Sequence, residues 1–212
     1  MANQSGNGAS KEYHAILLFG PPGSGKGTQG RILGEVPGFC LVSMGDVLRS
    51  LDPSGNPGRE VHRHLRAGTL VPSELVIAVW KKHMEKRVAA RFDPRRGLLV
   101  LDGLPRNVEE AKMLVPYVGI ERVIHLACEN EAILIDRIRR RSREGDRPDD
   151  TNDAVVQHRF DVYRTETLPV LDRYPPQAIA VVEAARTPLQ VLHQIVGAAA
   201  IAHISATAGS ES

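Results

Sequence analysis

The chain has 212 residues, enough to bury a substantial core in one α/β domain or in a core with small inserted lobes. Its 42% hydrophobic and 25% charged residues exclude a disordered or membrane-embedded protein, and a net charge of +2 gives no ground for a nucleic-acid binder. The two cysteines, Cys40 and Cys128, lie far apart without CxxC or histidine spacing, which argues against a disulfide framework or a zinc site.

Residues 1–12 are rich in Asn, Ser and Gly and carry no apolar segment. They read as a flexible tail with no secretory signal, so the protein is expected in the cytoplasm. Ala15 to Phe19 is an apolar run of strand character, followed by Gly20-Pro-Pro-Gly23-Ser24-Gly25-Lys26-Gly27-Thr28-Gln29 and then Arg31-Ile-Leu, which can open a helix. Strand, glycine loop and helix in that order form a phosphate-binding loop. Its glycines let successive amides converge where the positive end of the helix dipole also aims, and Lys26 adds a charge able to follow a phosphoryl group. The general pattern places Ser or Thr directly after the lysine; here Gly27 intervenes before Thr28.

Phe39 to Val42 reads as a second buried strand, with Ser43 or Asp46 capping a helix through Leu51. After the loop 52–58, a helix is expected over Arg59 to Ala67, ended by Gly68. Residues 43–72 are too poor in apolar surface for a separate domain and look like an inserted lobe. A helix from Pro72 to about Arg91 presents Leu75, Val76, Val79, Trp80 and Met84 on one face, with Trp80 in the core. Gly97 to Leu101 is a strong strand that ends in Asp102-Gly103, where a carboxylate could hold magnesium directly or through water. A helix over Val108 to Leu114 and a strand over Arg122 to Ala127 follow, with His125 a core or edge residue.

Arg137 to Arg147 holds six arginines in eleven positions, without interleaved aromatics for base stacking, and breaks into a Gly-Asp-Arg-Pro turn. In a triphosphate-binding protein such a run reads as a phosphate clamp. A helix from Asp153 to Thr167, a strand over Ala178 to Val182 and a helix from Pro188 to Ile204 complete the chain, and 205–212 reads as a second tail. The apolar stretch 191–204, broken by two histidines and a glutamine, is too short to span a bilayer. Five apolar runs separated by helices predict a five-stranded parallel sheet covered on both faces, with ligand at the carboxyl ends of the strands.

The motifs GPPGSGKGT (20–28), SMGDVLR (43–49), AGTLVPSELV (67–76), LDGLPR (101–106), RPDD (147–150) and TLP (167–169), in that order, resemble the adenylate kinase family of nucleoside monophosphate kinases. The likeness runs from about residue 15 to 196, within a kinase domain at 13–204. It implies a P-loop NTPase fold with a monophosphate-binding lobe at 43–72 and a short lid at 141–150. It further implies a monomeric cytoplasmic enzyme that moves a phosphoryl group reversibly from MgATP to a monophosphate, with magnesium as cofactor and, lacking lid cysteines, no zinc. Nucleic acid and membrane are not expected partners.

By the same resemblance, Gly20, Gly23, Ser24, Gly25, Lys26, Gly27 and Thr28 bind ATP phosphates, Arg137 stacks on the ATP base, and Arg186 stands where a glycine often contacts that base. Met44, Arg49, Leu70, Val71, Gly103, Arg106 and Glu110 would bind the monophosphate. Arg141, Arg147 and Arg159 converge on the transferred group, with Arg147 and Arg159 also contacting the acceptor. Lys26 and Arg106 complete the catalytic set, and Asp102 holds magnesium through water. Glu110 replaces the glutamine that reads the acceptor adenine. A glutamine donates and accepts, whereas a carboxylate only accepts, which suits guanine's two hydrogens better than adenine's N1 lone pair. AMP leads as acceptor on the family likeness, with GMP as its competitor. A catalytically decayed nucleotide-binding regulator is the remaining alternative; a GTP switch lacks its NKxD motif.

Overall fold

Five apolar segments pair into one sheet because each carries side chains that need cover on both faces. The computed structural model describes residues 11–143 and 151–208, with side chains through residue 199. The strands are β1 (Tyr13–Phe19), β2 (Phe39–Ser43), β3 (Leu98–Asp102), β4 (Val118–Ala127) and β5 (Ile179–Glu183). All pairings are parallel in the order β2-β3-β1-β4-β5. This arrangement is the α/β fold of P-loop NTPases. The chain crosses from one side of β1 to the other, and the carboxyl end of β1 is therefore the switch point where such sheets bind ligand.

Alternate side chains along the strands enter separate apolar layers. Ala15, Leu17, Phe19, Leu99, Leu101 and Val123 face a layer containing helix α4 (Ser73–Ala89) and helix α5 (Val108–Leu114). Ile16, Leu18, Val100, Ile124 and Leu126 face the other layer, closed by helix α1 (Lys26–Gly34) and helix α8 (Pro188–Ala208). Trp80 is 1% exposed on α4 and packs edge-on against Tyr13, ring centroids 5.8 Å apart at 75°. Truncating so large a buried ring costs about 3–5 kcal/mol.

The remaining helices are α2 (Met44–Arg49), α3 (Gly58–Ala67), α6 (Glu131–Arg143) and α7 (Asp153–Val162). Local chemistry sets several of their ends. Gly68 stops α3 in the left-handed conformation at φ 72°, and the side chains of Asn107 and Asn152 accept from backbone amides of α5 and α7. Four sequence expectations shift. Helix α1 begins at Lys26 rather than near Arg31, because Gly25 at φ 95° turns the chain directly into it. Strand β4 begins four residues before Arg122, since an extra residue at Glu121 interrupts its register against Ala15 and Ile16. The expected continuous helix to Thr167 becomes a π-helical turn over Tyr163–Thr167, and the last helix runs to Ala208, past the expected end at 204. Among the described residues no helix is long and apolar enough to cross a membrane.

Candidate active site

The carboxyl ends of the strands open into a cleft of about 920 Å³, within the range of small-ligand sites. Its floor is the glycine loop. Phe19 ends β1 in the core, and the chain then lies flush on its neighbours: a Cβ on Gly20 would sit 2.6 Å from the Leu126 carbonyl oxygen, and one on Gly23 would sit 2.5 Å from that of Leu134. Both glycines have positive φ. The loop is thus shaped by backbone sterics, and it presents the first-turn amides of α1 to the cleft. Lys26 Nζ donates to the carbonyls of Gly20 at 2.6 Å and Pro21 at 3.0 Å, which holds the ammonium over the same loop.

Asp102 ends β3, 8% exposed, in register with Leu18 on one side and Ser43 on the other. A Cβ on Gly27 would lie 3.7 Å from its Oδ2, so the carboxylate faces the first turn of α1. One such carboxylate beside an anion-binding loop and the Thr28 hydroxyl fits a magnesium ion, which prefers one or two carboxylates plus substrate phosphates and water. Among the described residues no cluster of three or more His, Cys, Asp or Glu could hold a metal unaided.

The opposite wall is built from side chains. Arg49 closes α2 and pairs with Asp46 at 3.4 Å. The Arg49 and Arg106 guanidinia meet at Gly45, 3.0 and 3.6 Å from where a Cβ would stand there, and Arg106 also lies 3.0 Å from the equivalent point on Gly103. Arg159 on α7 lays its stem against Gly68 and lines the same cleft. Burial holds the Arg106 guanidinium below its ordinary range; Glu110 and Asp102 oppose the shift, while Arg159 and Arg49 add to it. A guanidinium remains charged all the same. Desolvated and set beside two others, it is complementary to a polyanion.

The arginine run divides by direction. Arg137, Arg140 and Arg141 line the cleft, whereas Arg139 turns outward to Asp153 at 2.8 Å. The Arg137 guanidinium donates to the carbonyls of Ala184 at 2.7 Å and Arg186 at 3.2 Å, tying α6 to the loop after β5. Arg186 itself is exposed on the cleft rim. Arg147, and the expected lid beyond Arg143, lie outside the described residues.

Of the expected phosphate-loop and monophosphate residues, Gly20, Gly23, Ser24, Gly25, Gly27, Thr28, Arg49, Leu70, Gly103 and Arg106 line the cleft. Three others do not. Met44 is fully buried in the α4 layer, and Val71 is 5% exposed and faces a neighbouring groove. Glu110 is 1% exposed, its Oε2 accepting the backbone N–H of Arg106 at 2.6 Å. Both Met44 and Glu110, expected to bind the monophosphate, have their side chains engaged away from the cleft: apolar packing surrounds the first, and a backbone hydrogen bond holds the second. Burial pushes the Glu110 carboxyl up to about 7, against the pull of the Arg106 amide and guanidinium.

His125 sits closer to the site than the sequence indicated. Its Nε2 lies 3.1 Å from the hydroxyl of Tyr163, which lines the cleft, and burial, with the charge of Lys26, lowers the imidazole below its usual range. The sequence signal was its position near the carboxyl end of β4, where a polar side chain faces the ligand edge of the sheet.

The adenylate kinase family model matches residues 18–179, a span that contains the glycine loop, Asp102 and the arginines 49, 106, 137, 141 and 159. The chain is similar to an adenylate kinase of Synechococcus sp. (strain WH7803), 34% identical over 172 residues, covering 78% of this chain and 87% of that one. It is also similar to the adenylate kinases of Mycolicibacterium vanbaalenii and Stenotrophomonas maltophilia, each 38% identical over 165 residues, covering 75% of this chain and 84% of theirs. A likeness that takes in the glycine loop and the facing arginines makes the chain a member of the adenylate kinase family, and so a nucleoside monophosphate kinase.

Proposed function

We propose that the enzyme transfers the terminal phosphoryl group of MgATP to AMP, giving two ADP, reversibly. The observation that carries this reading is the convergence, on one cleft, of a backbone-built anion loop with Lys26 and a facing wall of Arg49, Arg106 and Arg159. AMP is named as acceptor because the relatives are adenylate kinases. The feature that favoured GMP, a free carboxylate at position 110, loses its force once that carboxylate is bonded to the Arg106 amide.

In the transfer, an oxygen of the AMP phosphate attacks the γ-phosphorus in line, and the bond from that phosphorus to the β–γ bridging oxygen breaks. The acceptor oxygen is already anionic, so no general base is required. The glycine loop and Lys26 hold the triphosphate, Arg49 and Arg106 hold the AMP phosphate, and Arg141 and Arg159, with Arg147, neutralise charge on the migrating group. Asp102 would hold magnesium through water, and the bound ion would supply positive charge to offset that of the phosphates. Residues 43–72 form the monophosphate lobe, whose approach to the loop excludes water that would otherwise accept the phosphoryl group.

The test is diphosphate formation from MgATP with AMP, GMP, UMP and CMP offered separately. ADP formation with AMP as the best acceptor is expected. Preference for GMP would overturn the acceptor assignment, and ATP binding without transfer to any acceptor would return the chain to a regulatory reading.

A further inference from the structure

We propose that Glu110 is the positioning residue for Arg106 and takes no part in reading the acceptor base. The proposal rests on the reading above, in which Arg106 binds the acceptor phosphate, and it deepens that reading by naming what aims the guanidinium.

Arg106 lies in the short turn between β3 and α5, where few regular hydrogen bonds are available to fix a side chain's direction. Its own peptide groups are fixed from both sides instead. Glu110 Oε2 accepts its N–H at 2.6 Å, and Thr167 Oγ1 donates to its carbonyl oxygen at 2.7 Å. Glu110 is held in turn: its backbone N–H donates to Asn107 Oδ1 at 2.7 Å, and Asn107 Nδ2 donates to Ser73 Oγ at 3.1 Å on the first turn of α4.

This is a capping box with a shifted reach. Asn107 is the N-cap of α5 and Glu110 is its third residue, so the glutamate side chain folds back toward the cap, as a capping-box glutamate does. The usual target is the cap residue's own amide. Here the target lies one residue earlier, at Arg106, and the helix start thereby fixes the arginine that faces Gly45 and Gly103. A carboxylate 1% exposed and engaged in this way is turned inward, away from any base in the cleft.

Two variants separate the roles. Glu110→Gln keeps an oxygen acceptor for the Arg106 N–H, whereas Glu110→Leu keeps the volume and removes the acceptor. With the glutamine, kcat/KM for AMP is expected within about threefold of wild type and the AMP to GMP ratio unchanged. With the leucine, KM for AMP should rise tenfold or more while KM for ATP stays within about twofold, since the glycine loop is untouched.

Equilibrium binding of AMP measured alongside gives the same comparison without turnover, so a protein that transfers nothing still reports on Glu110 and the failure falls on the catalytic reading alone. A tenfold change in the AMP to GMP ratio in the glutamine variant would overturn the proposal in favour of base reading. So would a leucine variant whose affinity for AMP equals wild type.

Discussion

On its loop side the cleft is made of backbone: Gly20 and Gly23 press against carbonyls of β4 and α6, and the polar groups there are amides of the first turn of α1. On the facing side it is made of side chains, three arginines from α2, the 103–107 turn and α7. The two walls therefore fail differently. A backbone site is indifferent to most side chains but intolerant of a single Cβ, while a guanidinium site tolerates nearby methyl groups and depends on the charge and aim of each fork.

The largest effects should come from removing the charges that each wall contributes to the transfer. Lys26→Ala and Arg106→Ala are each expected to lower kcat/KM by about 10³-fold, the scale of losing a preorganised donor at developing charge. Both proteins should keep a wild-type unfolding transition. Steady-state kinetics and circular dichroism check this, and wild-type-like turnover in either variant would remove that residue from the mechanism.

Next come the glycines, where the contrast sharpens. Gly23→Ala places a methyl 2.5 Å from the Leu134 carbonyl oxygen at φ 79°, so the loop must move. A loss of about 2 kcal/mol in stability is expected from overpacking and left-handed strain, with at least tenfold weaker ATP binding. At Gly25 φ is also positive, 95°, but nothing lies within 4 Å of the added methyl. Gly25→Ala should cost only the conformational part, about 1 kcal/mol. Denaturant titration and ATP-binding calorimetry on the pair separate collision from strain, and equal losses would mean that packing against Leu134 contributes nothing.

These two walls were not equally legible in the sequence. The loop was, because its physics is local: strand, glycines, lysine and helix are contiguous, and only the start of α1 shifted. The arginine wall was legible through family motifs, since nothing in residues 49, 106 and 159 themselves says that they meet at Gly45 and Gly68. Strand β4 was shortened in the reading because Glu121 breaks its register and its side chain is taken by His14 Nδ1 at 2.5 Å. Glu110 belongs to two sequence patterns at once. Its place four residues after Arg106 suggested a base contact, yet Asn107 followed three residues later by Glu110 is also a helix-start pattern, and that local hydrogen bonding governs where the carboxylate points.

Behind the arginine wall lies a buried titrating group, Glu110. The Glu110 carboxyl is raised from its ordinary 4.5 to about 7, so between those values the folded state holds more protons than the unfolded one. Stability from this group is fully present below 4.5 and is lost as pH rises through about 7, a decline of about 3 kcal/mol. Arg106 and Glu109 are the charges that act on it, the first lowering and the second raising its affinity for the proton. Glu110→Gln should abolish this part of the pH dependence, so that the stability difference between variant and wild type widens in the variant's favour from pH 4.5 to 7. Urea unfolding at several pH values measures it, and parallel curves would mean that Glu110 ionises as an exposed glutamate does.

The smallest effect tests whether proximity in sequence to the clamp implies membership of it. Arg139 lies two residues from both Arg137 and Arg141, but on a helix that spacing turns a side chain toward the opposite face. The structure accordingly pairs it with Asp153 at 2.8 Å, side chains 53% and 70% exposed, away from the cleft that Arg137 and Arg141 line. An exposed pair of this kind is screened by water and salt. Arg139→Ala should therefore leave kcat, both KM values and the unfolding midpoint unchanged, while Arg141→Ala lowers kcat. If Arg139→Ala lowered kcat as much as Arg141→Ala, the run would act through its summed positive field, and the division of α6 into a cleft face and a solvent face would carry no catalytic meaning.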